Sequence, residues 1–252
     1  MDIFDSHTHA NTMQNSVLEL MNVAGITEVA ICSFIPLAKN PETLKDHFEE
    51  LCTFQKERIE KYGIEAHVFV GIHPLCIPEN WKKAIEFVEE FLAEDMATGI
   101  GEVGLHFLNE REEDVLLNQL ELAREYSVPA IVHTPPTNRV SAVEKIVKIA
   151  EKAKVDFGSL VIDHTSIDTI GIVKENNAIA GVSIKPGIVT PEMIVENLDD
   201  FEDCLLNSDC ANVTDTDPLA VPKTVRYIMR EGIEKKIVKR MCFDNAKKVY
   251  KV

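Results

Sequence analysis

Short apolar runs, each closed by a polar or glycine residue, alternate along this chain with longer segments whose apolar positions recur every three or four residues. The short runs have the length and β-branched content of strands buried on both faces, and the longer segments have the period of amphipathic helices. Strands are expected at Ile3–His9, Glu28–Ser33, Ile64–Val70, Thr98–Val103, Pro129–His133, Leu160–His164, Ala178–Ile184 and Cys204–Asp209. Helices are expected at Gln14–Asn22, Pro41–Lys61, Asn80–Ala93, Glu110–Tyr126, Val140–Lys154, Ile167–Lys174 and Glu192–Asn197, with Pro218–Arg230 and Glu234–Lys248 closing the chain. In Asn80–Ala93, for example, Trp81, Ala84, Ile85, Val88 and Leu92 keep close to one helix face. Pro41 falls in the first turn of its helix, where a missing N–H does no harm.

Eight strands separated by helices imply a parallel sheet covered by helices. Right-handed crossovers leave two closures, an open doubly wound sheet or a (β/α)₈ TIM barrel. The strand count, the length of 252 residues and the lack of a glycine-rich loop after the first strand favour the barrel. No Pro/Ser linker, composition break or low-complexity stretch divides the chain, so residues 1–252 read as one barrel domain.

The net charge of −16 works against broad attraction to nucleic acid or anionic membrane, so a polyanionic substrate would need a local positive site such as a bound cation. The six cysteines, Cys32, Cys52, Cys76, Cys204, Cys210 and Cys242, form no C-x-x-C pair and suit free thiols in a reducing compartment. No signal-peptide pattern and no spanning run of apolar residues is visible, and the expectation is a soluble cytoplasmic protein with no membrane contact.

Against this background the polar strand ends stand out. In D-S-H-T-H, Asp5, His7 and His9 come at every second position, so strand alternation sends His7 and His9 to one face, where two imidazoles can grip one metal ion. The third strand runs into His73, the fourth carries Glu102, the fifth ends in His133, the sixth in His164 and the eighth in Asp209. In a barrel all strand C-termini meet on one face, so these residues converge, and a scatter of ordinary surface charges has no reason to choose strand ends. The same alternation sends Asp163 outward when His164 points in, as a helix-facing hydrogen-bond partner rather than a ligand. Taken singly, His133 is equally well read as a satisfied core histidine. His47 and His67 match no strand end and read as surface or packing residues. His106 reads either as a substrate contact or as a solvated loop residue. Arg139 and Lys185 are rim candidates to hold a substrate anion, the alternative being plain solvated charge. Cys76 and Cys210 read as buried thiols.

The set D-S-H-T-H, G-I-H-P, G-E-V-G-L, I-V-H-T-P, D-H and N-S-D, in this order from residue 5 to residue 209, resembles the TatD-related branch of the amidohydrolase-like metal-dependent hydrolases. The resemblance implies a (β/α)₈ barrel with two divalent ions and, for many members, nuclease action on DNA. Carried across by motif, His7, His9 and Asp209 would hold the first ion, Glu102 would bridge, and His133 and His164 would complete the second. Related phosphotriesterase-like enzymes bridge with a carbamylated lysine; here Glu102 occupies that strand end, and Lys185 is the nearest lysine alternative. Two departures touch the rim: His106 stands where the family has an acidic residue after G-L, and Pro135 where an arginine commonly follows the strand-five histidine.

A mixed imidazole and carboxylate set suits Zn²⁺, Mn²⁺, Co²⁺ or Fe²⁺ better than Mg²⁺ or Ca²⁺, with Mg²⁺ retained for a nuclease. Two ions sharing a carboxylate and a water make hydroxide available near neutral pH. Asp209 is the candidate base, Glu102 the bridge, and His73 the contact to substrate or leaving group, or else a turn residue of G-x-H-P. The leading expectation is a phosphodiesterase of the TatD type, with DNA ends as one substrate. The alternatives are a hydrolase of small amides, lactones or phosphoesters, and a binding protein that keeps its metals for structure. No protein partner is inferable.

Overall fold

The computed structural model describes residues 1–35, 37–212 and 216–252. Eight strands form one sheet in sequential order: β1 Ile3–Thr8, β2 Ile26–Cys32, β3 Glu65–Val70, β4 Gly99–Gly104, β5 Ala130–His133, β6 Leu160–Ile162, β7 Ile179–Ser183 and β8 Leu205–Asn207. Every neighbouring pair from β1–β2 to β7–β8 is parallel. The last gap is bridged by backbone hydrogen bonds, from Asp209 N to His7 O at 3.0 Å and from His9 N to Cys210 O at 2.9 Å. The sheet thus curls into a nearly closed (β/α)₈ barrel.

Between the strands lie α1 Asn15–Val23, α2 Pro41–Glu50, α3 Lys56–Glu60, α4 Trp81–Ala93, α5 Glu110–Tyr126, α6 Arg139–Ala153, α7 Ile167–Glu175, α8 Pro191–Glu196 and α9 Leu198–Phe201. After β8 come α10 Ala220–Arg230, α11 Lys235–Lys239 and α12 Asn245–Tyr250. The helix expected over residues 41–61 carries a π-type turn at Leu51–Gln55, and the final helix carries another at Arg240–Asp244. Local sequence explains several starts. Asn109 caps α5 by accepting from Glu112 N at 3.1 Å, with Glu110, Glu112 and Glu113 in the first turn complementing the helix dipole. Thr190 caps α8 with Pro191 at its first position, and Ser166 with Thr169 closes a reciprocal cap on α7.

The larger apolar core lies between strands and helices, with Leu18, Phe48, Val88, Leu116, Ile146 and Ile228 among its buried members. A smaller cluster joins Phe4, Phe69, Ile131, Val161 and Leu205 to Val249 and Tyr250 of α12. The Tyr250 hydroxyl donates to Ser6 O at 2.7 Å, tying the last helix to the first strand. Of His67 and His47, read as surface or packing residues, His67 is buried, meeting Glu28 at 2.7 Å and packing its ring on Phe4, and His47 is half-buried. All six cysteines are free, with Cys76 and Cys210 buried as expected.

Two strands stop two residues earlier than their sequence suggests. Leu160–His164 ends as a strand at Ile162, and Cys204–Asp209 at Asn207. Beyond them His164 and Asp209 take left-handed backbone conformations, with φ of 55° and 45°. For residues with a Cβ this conformation costs roughly 1–2 kcal/mol each, and such strain gathers where side chains must be aimed.

Candidate metal centre

Glu102, from β4, is the hub. Its carboxylate is almost wholly buried and its two oxygens face different partners. Oε2 lies 3.5 Å from His7 Nε2, 3.5 Å from His9 Nε2 and 3.8 Å from His73 Nε2. Oε1 lies 2.9 Å from His133 Nδ1 and 3.3 Å from His164 Nε2. Asp209 closes the first side, with Oδ1 3.6 Å from His9 Nε2 and 4.0 Å from His7 Nε2. The residues expected at six strand ends therefore do come together at one mouth of the barrel.

Hydrogen bonding sorts these groups into those with a lone pair to offer and those without. His7 Nδ1 is bound to Asp163, and its buried Nε2 has no hydrogen-bond partner among the described residues. His9 Nδ1 donates to the Cys32 carbonyl at 3.1 Å, which leaves Nε2 bare. His164 Nδ1 pairs with the Ser183 hydroxyl at 2.7 Å. His73 differs: its Nδ1 accepts from Leu75 N at 3.1 Å, so the proton of the neutral ring sits on Nε2 and faces Glu102. His73 is thus a hydrogen-bond donor at the site and a poor ligand.

Asp163 corrects the sequence reading. It is fully buried on the barrel side, paired to His7 through Oδ2 and accepting from Asn207 Nδ2 at 2.8 Å through Oδ1. Alternation fails there because β6 has ended and His164 is left-handed, so both side chains of Asp163-His164 turn toward the centre. Gly181 makes the room: a Cβ there would lie 2.5 Å from Asp163 Oδ1. The hydrogen-bonding role was expected, but the direction was not.

The electrostatics suit a cation. Burial alone would raise Glu102, yet His7, His73, His133 and His164 hold it well below the usual carboxylate range. Burial likewise opposes the charge on Asp209, which His164, His9 and His7 lower, and on Asp163, which His164 and His7 bring down to about 2. Burial works against protonation of His7, but the Cys32 sulfur and the Glu102 and Asp163 carboxylates raise its proton affinity well above normal. The carboxylates that favour a proton on these rings favour a divalent ion in the same way. Burial pushes His73 well below its usual range and lowers His133, against the pull of Glu102. Donor atoms of His7, His9 and Asp209 lie within 4.8 Å of one another, as do those of His73, Glu102 and His133. A buried bare imidazole nitrogen among ionised carboxylates fits a divalent metal.

Above the centre opens a cavity of about 410 Å³. His9, His73, Glu102, His133, His164 and Asp209 form its floor, and Phe34, Leu75 and Ile188 stand among its apolar walls. Arg139 and Lys185, both expected at the rim, line it. Lys185 Nζ is paired with Asp209 Oδ2, whereas the buried Nε of Arg139 has no hydrogen-bond partner among the described residues. His106 is half-buried, with Nδ1 3.3 Å from His133 Nε2. Sequence reasoning missed Ser183, the Cys32 carbonyl and Phe34. The polar residue before I-K-P and the aromatic after strand two carry only weak signals.

A (β/α)₈ barrel with histidine and carboxylate donors gathered at its strand ends has the make-up of a metal centre. The chain belongs to the family of TatD-related DNases, which matches residues 4–251. An uncharacterized metal-dependent hydrolase of Methanocaldococcus jannaschii is 32% identical over 253 residues, covering 99% of this chain and 100% of that one. The crystal structure of a TatD-like protein from Archaeoglobus fulgidus superposes with a TM-score of 0.85 at 33% identity, covering 99% of this chain and 100% of the other. The phosphotriesterase homology protein of Escherichia coli, 13% identical with a TM-score of 0.68 and coverage of 99% and 98%, shares the fold. No helix among the described residues is long and apolar enough to cross a membrane.

Proposed function

We propose that residues 1–252 work as one catalytic domain, a phosphodiester hydrolase with two divalent ions (Zn²⁺, Mn²⁺, Co²⁺, Fe²⁺ or Mg²⁺) on either side of Glu102. His7, His9 and Asp209 would hold the first and His133 and His164 the second. The observation that carries this reading is the divided carboxylate, with Oε2 toward His7 and His9 and Oε1 toward His133 and His164. When bound, such ions polarise a phosphoryl oxygen and make water ionise near neutral pH.

The chain's own residues do the rest. Asp209 stays ionised and accepts the proton of the attacking water, with Lys185 on its second oxygen. His73 keeps a proton on Nε2 and donates a hydrogen bond to a substrate oxygen, its ring fixed by Leu75 N. Arg139, whose buried Nε is unpaired among the described residues, and Lys185 supply positive charge to a phosphate oxygen. Phe34, Leu75 and Ile188 exclude water from one side of the cavity.

The net charge of −16 and a cavity of about 410 Å³ favour a second reading, in which the substrate is a small amide, lactone or phosphoester rather than a strand of DNA. Both are tested by turnover of end-labelled single-stranded DNA and of a chromogenic phosphodiester by Mn²⁺- or Mg²⁺-loaded protein, with His133→Ala as control. A ladder shortening from one end, absent in the control, supports an exonuclease. Cleavage of the chromogenic ester alone moves the substrate to small phosphoesters. Failure on both, with metal bound, removes the phosphodiesterase reading.

A further inference from the structure

Among the candidate ligand imidazoles, His7, His9 and His164 turn Nε2 to the centre and keep Nδ1 on an oxygen partner. His133 is reversed. Its Nδ1 faces the centre, 2.9 Å from Glu102 Oε1 and 3.2 Å from His164 Nε2, while Nε2 looks away toward His106 Nδ1 at 3.3 Å. A nitrogen that binds a cation must offer a lone pair, so the proton of a ligating neutral His133 sits on Nε2. Among the described residues, the one hydrogen-bond partner of that Nε2 is His106.

His106 is held in place for this contact. Its own amide donates to Glu112 Oε2 at 2.8 Å, and the amides of Phe107 and Leu108 donate to the same oxygen at 2.9 and 3.0 Å. Asn109 Nδ2 reaches Glu112 Oε1 at 3.0 Å. The buried Glu112 carboxylate, at the start of α5, therefore clamps the whole loop through its backbone, and the ring of His106 is presented to His133 with its plane 20° from that ring.

We propose that His106 is a positioning residue for the second ion: it accepts the Nε2 proton of His133 and so fixes the tautomer whose Nδ1 is free to bind. This rests on the two-ion reading above. The partner of a ligating imidazole tunes the ligand, and the two sides of the centre are tuned differently. On the first side His7 is backed by the carboxylate of Asp163. On the second side His133 is backed by an imidazole nitrogen and His164 by a hydroxyl. The ion on His133 and His164 is accordingly the more weakly held, and the two sites fill in sequence.

The test is a titration of metal-stripped protein with Mn²⁺ against a competing chelator, without substrate. The wild type is expected to fill in two steps. His106→Ala should weaken the weaker step by roughly 10–100-fold and leave the tighter one in place. His106→Asn, whose Oδ1 can stand where Nδ1 stands, should recover most of that loss, and His106→Asp should tighten the weaker step beyond wild type. The Asn and Asp variants keep an acceptor on a loop held by its backbone, so they decide the matter even if the alanine variant does not fold. Two steps indifferent to residue 106, or an asparagine variant as weak as alanine, overturn the proposal. A wild type that binds no ion overturns instead the two-ion reading on which it rests.

Discussion

Asp163→Asn is the perturbation that separates support of a ligand from the ligand itself. The carboxylate accepts from two donors at once, His7 on one oxygen and Asn207 on the other. An asparagine has one acceptor oxygen: turned to Asn207 it leaves His7 without its anchor, and turned to His7 it leaves Asn207 facing an NH₂ group, and in either case His7 is no longer backed by a charged carboxylate. The carboxyl stands at about 2 rather than 3.8, a preference for the ionised form worth about 2 kcal/mol at about 1.4 kcal/mol per tenfold change in proton affinity. The folded-state value is depressed, so this stabilisation is complete above 3.8 and is lost as pH falls through about 2. The variant should therefore lose stability of that order at pH 7, read from urea midpoints on metal-free protein, and show a shallower decline in acid. In chelator competition its tighter Mn²⁺ step should weaken roughly 10–100-fold while the weaker step changes little. An unchanged tight step, or a loss confined to the weaker one, would refute the pairing of Asp163 with the first site.

Asp209→Asn should lower kcat on a phosphodiester by on the order of 10²–10⁴-fold with an unaltered circular dichroism spectrum, and activity within tenfold of wild type would remove Asp209 as the base. Gly104→Ala puts a Cβ 2.3 Å from His133 O at a φ of 143°, so a loss of stability of roughly 2 kcal/mol or more is expected together with a weaker second ion. An unshifted melting curve would contradict that. At the Glu28–His67–Lys247 cluster, burial pushes His67 below its usual 6.5 against the pull of Glu28. The unfolded chain then takes up a proton first, so stability is full above 6.5 and falls as pH drops below it. His67→Gln should flatten the change in urea midpoint between pH 7.5 and 5.5, and an identical slope would rule His67 out as its source.

Much of this architecture is written in the chain's periodicity. Buried parallel strands must be apolar nearly throughout, so a histidine or acid at the end of such a run is conspicuous, and barrel closure brings those ends together whatever their separation in sequence. His7, Glu102 and His133 were legible for that reason. Asp163 was not, because the left-handed turn at His164 breaks the alternation on which the reading relied. The π-type turns at Leu51–Gln55 and Arg240–Asp244 leave an apolar period close to that of a plain helix and were invisible in it. The Glu112 clamp and the contact of His106 with His133 depend on side chains meeting across a loop, which spacing does not encode. The helix content of Glu110–Tyr126 was plain, but a first-turn glutamate reads as solvent-facing until its carboxylate is seen buried under three amides.

In the proposed centre Glu102 lies between two ion sites of this chain's own making. Elemental analysis of Mn²⁺-reloaded, gel-filtered protein tests it most directly, with the wild type compared with the double variant H133A/H164A. Two ions per chain in the wild type and one in the double variant, with hydrolysis seen only for the former, is the expected result. One ion in the wild type, or two in the double variant, would rule out two ion sites divided by Glu102.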